Sequence, residues 1–299
     1  MGDLQAFQKP CTVVVVALTL TAAAATLAHA QPDIGVVLAA RTMQPGEVVR
    51  VGITCACGTV APRATAFGLD VPLVLSADGR RWLGLVGIDV DVVPGVYPLV
   101  VDVPHHQPAL TRETSLRVEP KRFSTRTLRV APDFVDPPAG VLERVLREAS
   151  LLDRLFRAVT PRAWNGSFGL PLESPPTRNF GSRSVFNGEP RNPHAGIDFR
   201  SPSGTAVTAP AAGTAVLAGD LFFTGNTVVM DHGAGVYSLY AHLSSMSVAT
   251  GDAVARGSRL GEVGATGRVT GPHLHWGVRL NGARVDPLSL IVATEVAHE

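Results

Sequence analysis

Glycine and proline cut most of this chain into apolar segments too short to be helices. The sequence holds 30 glycines and 23 prolines in 299 residues, and many stand in pairs that reverse a strand. Between Gln31 and about Pro132 the segments are Val48–Ile53, Pro72–Leu75, Trp82–Ile88, Val96–Val103 and Ser115–Val118, parted by Pro45-Gly46, Asp78-Gly79 and Pro94-Gly95. That rhythm predicts an antiparallel, immunoglobulin-like β-sandwich over 31–132. From Ser167 the rhythm returns in Thr205–Ala209, Gly213–Leu217, Asn226–Met230, Val236–Tyr240 and His273–Val278, which predicts a second β domain over 167–299. Between them, 133–166 reads as a linker. A proline-rich hinge from Val135 to Gly140 leads into a helix from Val141 to about Val159. There Leu142, Val145, Leu146, Ala149, Leu152, Leu155 and Phe156 recur at helical spacing, and Thr160-Pro161 ends the run. The fold class expected is therefore mainly β with one connecting helix.

The composition is that of a core-forming chain, 45% hydrophobic and 17% charged, with a formal charge of +1. No run of lysine or arginine and no interleaved aromatic and basic stripe is present, so nothing points to nucleic acid. Residues 1–30 read as a signal peptide: Lys9, an apolar run from Cys11 to about Leu27, then Ala28-His29-Ala30 with small residues at the cleavage positions. Cleavage before Gln31 implies export to the periplasm or cell envelope. A membrane tie is expected only if the segment stays uncleaved. Cys55 and Cys57 then remain, a structural pair that needs a local kink to bridge and has no part in the chemistry.

The chemistry lies in the last third. His194 and Asp198 are four apart, with Pro193 before them and Gly196 between, which places them on a loop entering a strand. His273 and His275 alternate on a strand, so both face the same way at roughly 6.5–7 Å. His242 ends another strand. Imidazoles with a carboxylate suit zinc better than calcium or magnesium, although ligand type alone does not separate zinc from copper or nickel. A His, Asp, His set leaves one position open for water, and a histidine off the metal serves as base. His29, His105, His106, His232 and His298 are background. The segment from Ser167 to Asn192 precedes His194; it reads as a plain surface loop, with the alternative that it lies across the site and makes it latent through Glu189 or Asn192.

The fragments His194-Ala-Gly-Ile-Asp198-Phe, Tyr240-Ala-His242-Leu and Gly264-Ala-Thr-Gly-Arg-Val-Thr-Gly-Pro-His273-Leu-His275-Trp resemble the lysostaphin-like zinc endopeptidases of family M23, over about Phe168 to Leu290. The resemblance implies a C-terminal antiparallel β-sheet peptidase domain of lysostaphin type with one zinc per chain, held by His194, Asp198 and His275. It implies His273 as general base, and His242 as its support or as stabiliser of the oxyanion. The expected substrate is the peptide cross-link of bacterial peptidoglycan; the alternative is a non-catalytic or latent wall-binding member that regulates another hydrolase. Arg183, in a turn resembling the family's, and Tyr240 are expected to meet substrate, Arg183 having an ion pair as its equal alternative. Trp82–Asp89 and Pro94–Leu99 look like the immunoglobulin-like domain that precedes some exported members.

Overall fold

A computed structural model describes residues 34–57, 60–103, 110–129 and 139–295. The residues read as a signal peptide, 1–30, and most of the proline hinge lie outside them. Eight strands build the first part: β1 Gly35–Ala40, β2 Val48–Thr54, β3 Arg63–Ala66, β4 Leu69–Asp70, β5 Leu73–Leu75, β6 Trp82–Gly87, β7 Gly95–Val103 and β8 Leu110–Val118. They form two four-stranded antiparallel sheets, β1-β2-β6-β5 and β4-β3-β7-β8. Strict alternation of buried and half-buried positions in β6 follows from the period of two along a strand. Val49, Val51, Ile53, Trp82, Leu99, Val101 and Leu116 close between the sheets as one core. Just past β2 the chain bends, and Cys55 and Cys57 form a disulfide with Cα atoms 5.2 Å apart. That is the kink the pair requires, because two residues on an extended strand would stand farther apart.

After β9 Thr125–Leu128, a helix α1 runs over Leu142–Arg157, close to its expected limits. It is carried by i,i+4 pairs, Arg144 with Glu148, Arg147 with Glu143 and Arg157 with Asp153. Next come β10 Arg183–Phe186, β11 Glu189–Pro190, β12 Gly196–Phe199, β13 Ala206–Thr208, β14 Gly213–Leu221, β15 Gly225–Gly233, β16 Val236–Met246, β17 Ala253–Val254, β18 Arg259–Val263, β19 Leu274–Leu280 and β20 Ala283–Val285, with a closing helix α2 over Pro287–Glu295. β10 pairs with β9 in parallel and with β11 antiparallel. The main sheet runs β12-β19-β16-β15-β14-β17, with β13, β18 and β20 attached to it. β15 is buried almost end to end because both of its faces are covered. On one face Phe156 of α1 packs with Leu217, Leu221, Val229 and Tyr237; on the other Met230, Tyr240, Trp276 and Val278 join the larger core. No helix among the described residues is long and apolar enough to cross a membrane.

Pro32–Glu299 is one compact unit, and charge joins its two β regions. Glu47, 2% exposed, receives Arg41, Lys121 and the hydroxyl of Ser289, while Arg41 also reaches Asp286 at 2.6 Å. Burial would raise the Glu47 carboxyl, but its cations hold it below the usual range. A second junction sets Arg284 on Asp89 and Asp91.

His232, assigned to the background, is a satisfied core residue. It is fully buried, with Nδ1 2.8 Å from the Ala212 carbonyl and Nε2 2.7 Å from Ser238 Oγ. Burial lowers its pKa to about 4, below the unfolded value, so the unfolded chain binds the extra proton between about pH 6.5 and 4. Its contribution is whole above pH 6.5 and fades as pH falls through that window, by on the order of 3 kcal/mol in all. Urea unfolding at pH 7, 5.5 and 4 should show a steeper loss for the natural chain than for His232→Gln; parallel losses would refute the assignment.

Candidate metal centre

Strand register assembles the centre. β12 and β19 pair with Asp198 opposite His275, and β19 and β16 pair with Ala241 opposite His275, so these side chains share one sheet face. His194 enters from the loop before β12, its backbone fixed by bonds between His194 N and Ser182 O at 2.9 Å and between Gly181 N and His194 O at 2.8 Å. Across the pair, Gly196 stands opposite Gly277. A Cβ at Gly196 would fall 2.4 Å from the Trp276 carbonyl oxygen and 2.8 Å from the His275 ring, which is why the position between His194 and Asp198 carries no side chain.

Three donor atoms converge. His194 Nε2 lies 2.9 Å from His275 Nδ1, and Asp198 Oδ1 lies 3.1 Å from each of them. His194 Nδ1 faces the Asn179 carbonyl at 3.3 Å, which leaves the Nε2 lone pair turned inward. Two lone pairs and a carboxylate aimed at one point repel unless a cation lies between them. A tetrahedral ion with bonds of about 2.0–2.1 Å sets its ligands roughly 3.3 Å apart, close to the spacing found. The donor set thus fits a divalent metal ion. Burial alone would raise Asp198, yet the two imidazoles hold it far below the carboxylate range; burial pushes His275 down.

His242 and His273 stand beside this cluster with ring centroids 4.8 Å apart, and His242 is 6.2 Å from His275. Each turns Nδ1 to a carbonyl at 2.9 Å, Thr266 for His242 and Gly271 for His273, so Nδ1 carries the proton and Nε2 is free to accept one. Burial lowers His242 to about 4, which keeps it neutral. The loop that offers Thr266 is pressed against Gly225, where a Cβ would meet Thr266 and Gly267 backbone at 2.4–2.5 Å. His242 itself sits at φ +65° while its amide bonds Thr224 O, a strained backbone held by its surroundings.

The two side chains expected to meet substrate are both engaged by the protein itself. Tyr240 has no exposed surface. Being one residue from Ala241 it faces away from the centre, its hydroxyl 2.8 Å from Ser238 Oγ, and the expected substrate contact is replaced by packing. Arg183 takes its ion-pair alternative, with Asp91 at 2.6 Å. Glu189 pairs with Arg191 at 2.8 Å and is spent there; Asn192 lines the neighbouring groove. The residue missed by sequence reasoning is Asn179, whose Nδ2 donates to Asp198 Oδ2 at 2.7 Å and leaves Oδ1 for the cluster.

The comparisons with known proteins follow this geometry. The profile of peptidase family M23 matches residues 192–287. A crystal structure from Pseudomonas aeruginosa, assigned to peptidase M23, is 36% identical with a TM-score of 0.66, covering 84% of this chain and 96% of that one. The DD-carboxypeptidase/endopeptidase Mpg of Neisseria meningitidis is 48% identical over 101 residues, 34% of this chain and 23% of that protein. The peptidoglycan DD-endopeptidase ShyA of Vibrio cholerae is 43% identical over 96 residues, 32% and 22%. The matched stretch thus spans under a quarter of the length of these curated relatives. A β-sheet carrying this histidine and aspartate cluster is peptidase architecture. The chain belongs to peptidase family M23.

Asn179→Ala should weaken divalent-metal binding by about 10–100-fold, as loss of an orienting partner does. Competition with a chromophoric chelator reads this; unchanged affinity would mean that Asn179 only packs.

Proposed function

We propose that this protein is an exported, zinc-dependent endopeptidase that hydrolyses peptide cross-links of bacterial peptidoglycan. The observation that carries the reading is the convergence of His194 Nε2, Asp198 Oδ1 and His275 Nδ1 within 3.1 Å, beside the histidines His242 and His273, in a chain of this family. The substrate class is suggested by relatives named as peptidoglycan DD-endopeptidases. Export is suggested by the signal-like sequence of residues 1–30, with the periplasm or envelope as destination.

In this reading His194, Asp198 and His275 would hold one zinc ion, which when bound would supply Lewis acidity toward the scissile carbonyl and water. His273 accepts the water proton at Nε2, because its Nδ1 proton is committed to Gly271 O. Once protonated it returns that proton to the leaving amine. His242, fixed by Thr266 O with its ring 4.8 Å away, supports His273 and faces the oxygen on which charge develops. Asn179 holds Asp198 so that one oxygen alone faces the metal.

Incubation of the zinc-loaded protein with cell-wall sacculi should release peptides identifiable by mass spectrometry, and a chelator should stop the release. No peptide-bond cleavage with zinc restored would end the enzyme reading and leave the wall-binding alternative.

Metal content measured beside turnover separates the histidines. His273→Ala should keep zinc and lose turnover by roughly 10²-fold or more, whereas His194→Ala and Asp198→Ala should lose both. Metal loss in the His273 variant would show the two roles of the His273-Leu-His275 pair to be reversed.

A further inference from the structure

Arg279 is the third member of the β19 face that begins with His275 and Gly277, and it lacks the anion its position calls for. The residue is half-buried: burial lowers its guanidinium to about 10, its Cζ stands 5.2 Å from the Phe156 ring, and its closest acceptors are the carbonyls of Ala195 and Val278, both at a long 3.4 Å. Among the described residues no carboxylate lies within ion-pair distance of it. The nearby acids are taken elsewhere. Arg284, its register partner on β20, holds Asp89 through two nitrogens and shares Asp91 with Arg183. A half-buried guanidinium without a counter-ion beside a cavity is a ready partner for an anion.

The space beside it is shaped for one. A cavity of about 210 Å³ is lined by His275, Gly277 and Arg279 of β19, together with Phe156, Leu152 and Leu239. Thr224 and Arg279 also border the adjoining groove of about 1020 Å³, which gives the cavity a way in. Along β19 the two Cα positions are about 14 Å apart, but Arg279 reaches toward Ala195, the neighbour of His194. A bound anion would therefore lie one or two peptide residues from the metal cluster.

We propose that Arg279 is the carboxylate anchor of the substrate cavity, taking a free carboxylate of the peptide whose scissile carbonyl lies at His194, Asp198 and His275. The planar fork of the guanidinium matches a carboxylate bidentately, and the surrounding apolar wall excludes competing water. The inference rests on the peptidase reading and extends it to the substrate: an acidic peptide is preferred over its neutral counterpart, and the preference is made by a residue off the metal.

The test uses cross-linked peptides released from sacculi, half of them treated with carbodiimide and ammonia to turn carboxylates into carboxamides. With the zinc-loaded natural chain, amidation should lower kcat/KM by about tenfold or more, chiefly through KM. Arg279→Gln should show that loss already on the acidic peptides and no further loss on amidation, with Arg279→Lys between. Equal turnover of both peptide forms by the natural chain would overturn the anchor and leave the peptidase standing. A variant that loses kcat alike on both forms while keeping the preference would overturn it too. Turnover of neither form would overturn both readings. Should Arg279→Gln fail to fold, the natural chain's own preference decides.

Discussion

The antiparallel register of β12, β19 and β16 is the constraint on which the rest of the centre depends. Asp198, His275 and Ala241 lie in one row across three strands, and His194 is carried in by the loop that feeds β12. Because side chains alternate with a period of two, a slip of one residue in β19 would send His273, His275 and Arg279 to the core face. It would bring Leu274, Trp276 and Val278 to the open one. The apolar half of the alternation prevents this: Leu274, Trp276, Val278 and Leu280 have no exposed surface, and together their burial is worth on the order of several kcal/mol. The core thus fixes the chemistry by excluding the wrong face.

The same sheet is steadied from the first β region. Glu47 lies in a loop before β2, yet its buried carboxylate gathers Arg41, Lys121 and Ser289, the last from α2, while the Val48 amide donates to Ser289 Oγ. At Gly46 a Cβ would strike the Phe180 ring, and Phe180 adjoins Asn179, the residue that orients Asp198. A glycine in the first region is therefore tied by packing to the segment that orients the carboxylate of the His194, Asp198 and His275 cluster. This is continuity of structure, and it explains why Val48 and Val90 belong to the same core as Trp276.

Much of this was legible in the sequence, for reasons that differ by residue. His273 and His275 were visible because the strand period puts alternating residues on one face. α1 was visible because its apolar positions recur with the helical period. Asn179 was not, since a lone asparagine in a loop gives no sign that it will meet a carboxylate 19 residues on. Tyr240 was misread for want of the register: it adjoins His242 by sequence, but only the pairing of Ala241 with His275 reveals that Tyr240 faces inward. Arg183 meets Asp91, 92 residues earlier, a contact that no local pattern encodes.

The placement of α1 shows how a weakly buried element can still shape a site. Of its sixteen residues Phe156 is the buried one, and Leu142 and Leu146 remain 49% and 58% exposed, so little apolar energy holds its first half. What fixes it there is polar: Glu148 accepts from the Phe222 amide at 2.8 Å and Arg144 reaches Asp220 at 2.8 Å. Surface ion pairs of this kind contribute about 1 kcal/mol or less each, whereas Phe156, edge-on to Tyr237 and stacked by Arg279, carries the anchoring at the other end. The helix is thus firmest where it walls the cavity beside Arg279 and least firm where it faces solvent. That gradient places the more rigid part of a segment outside the family-matched region against the cavity that contains Arg279.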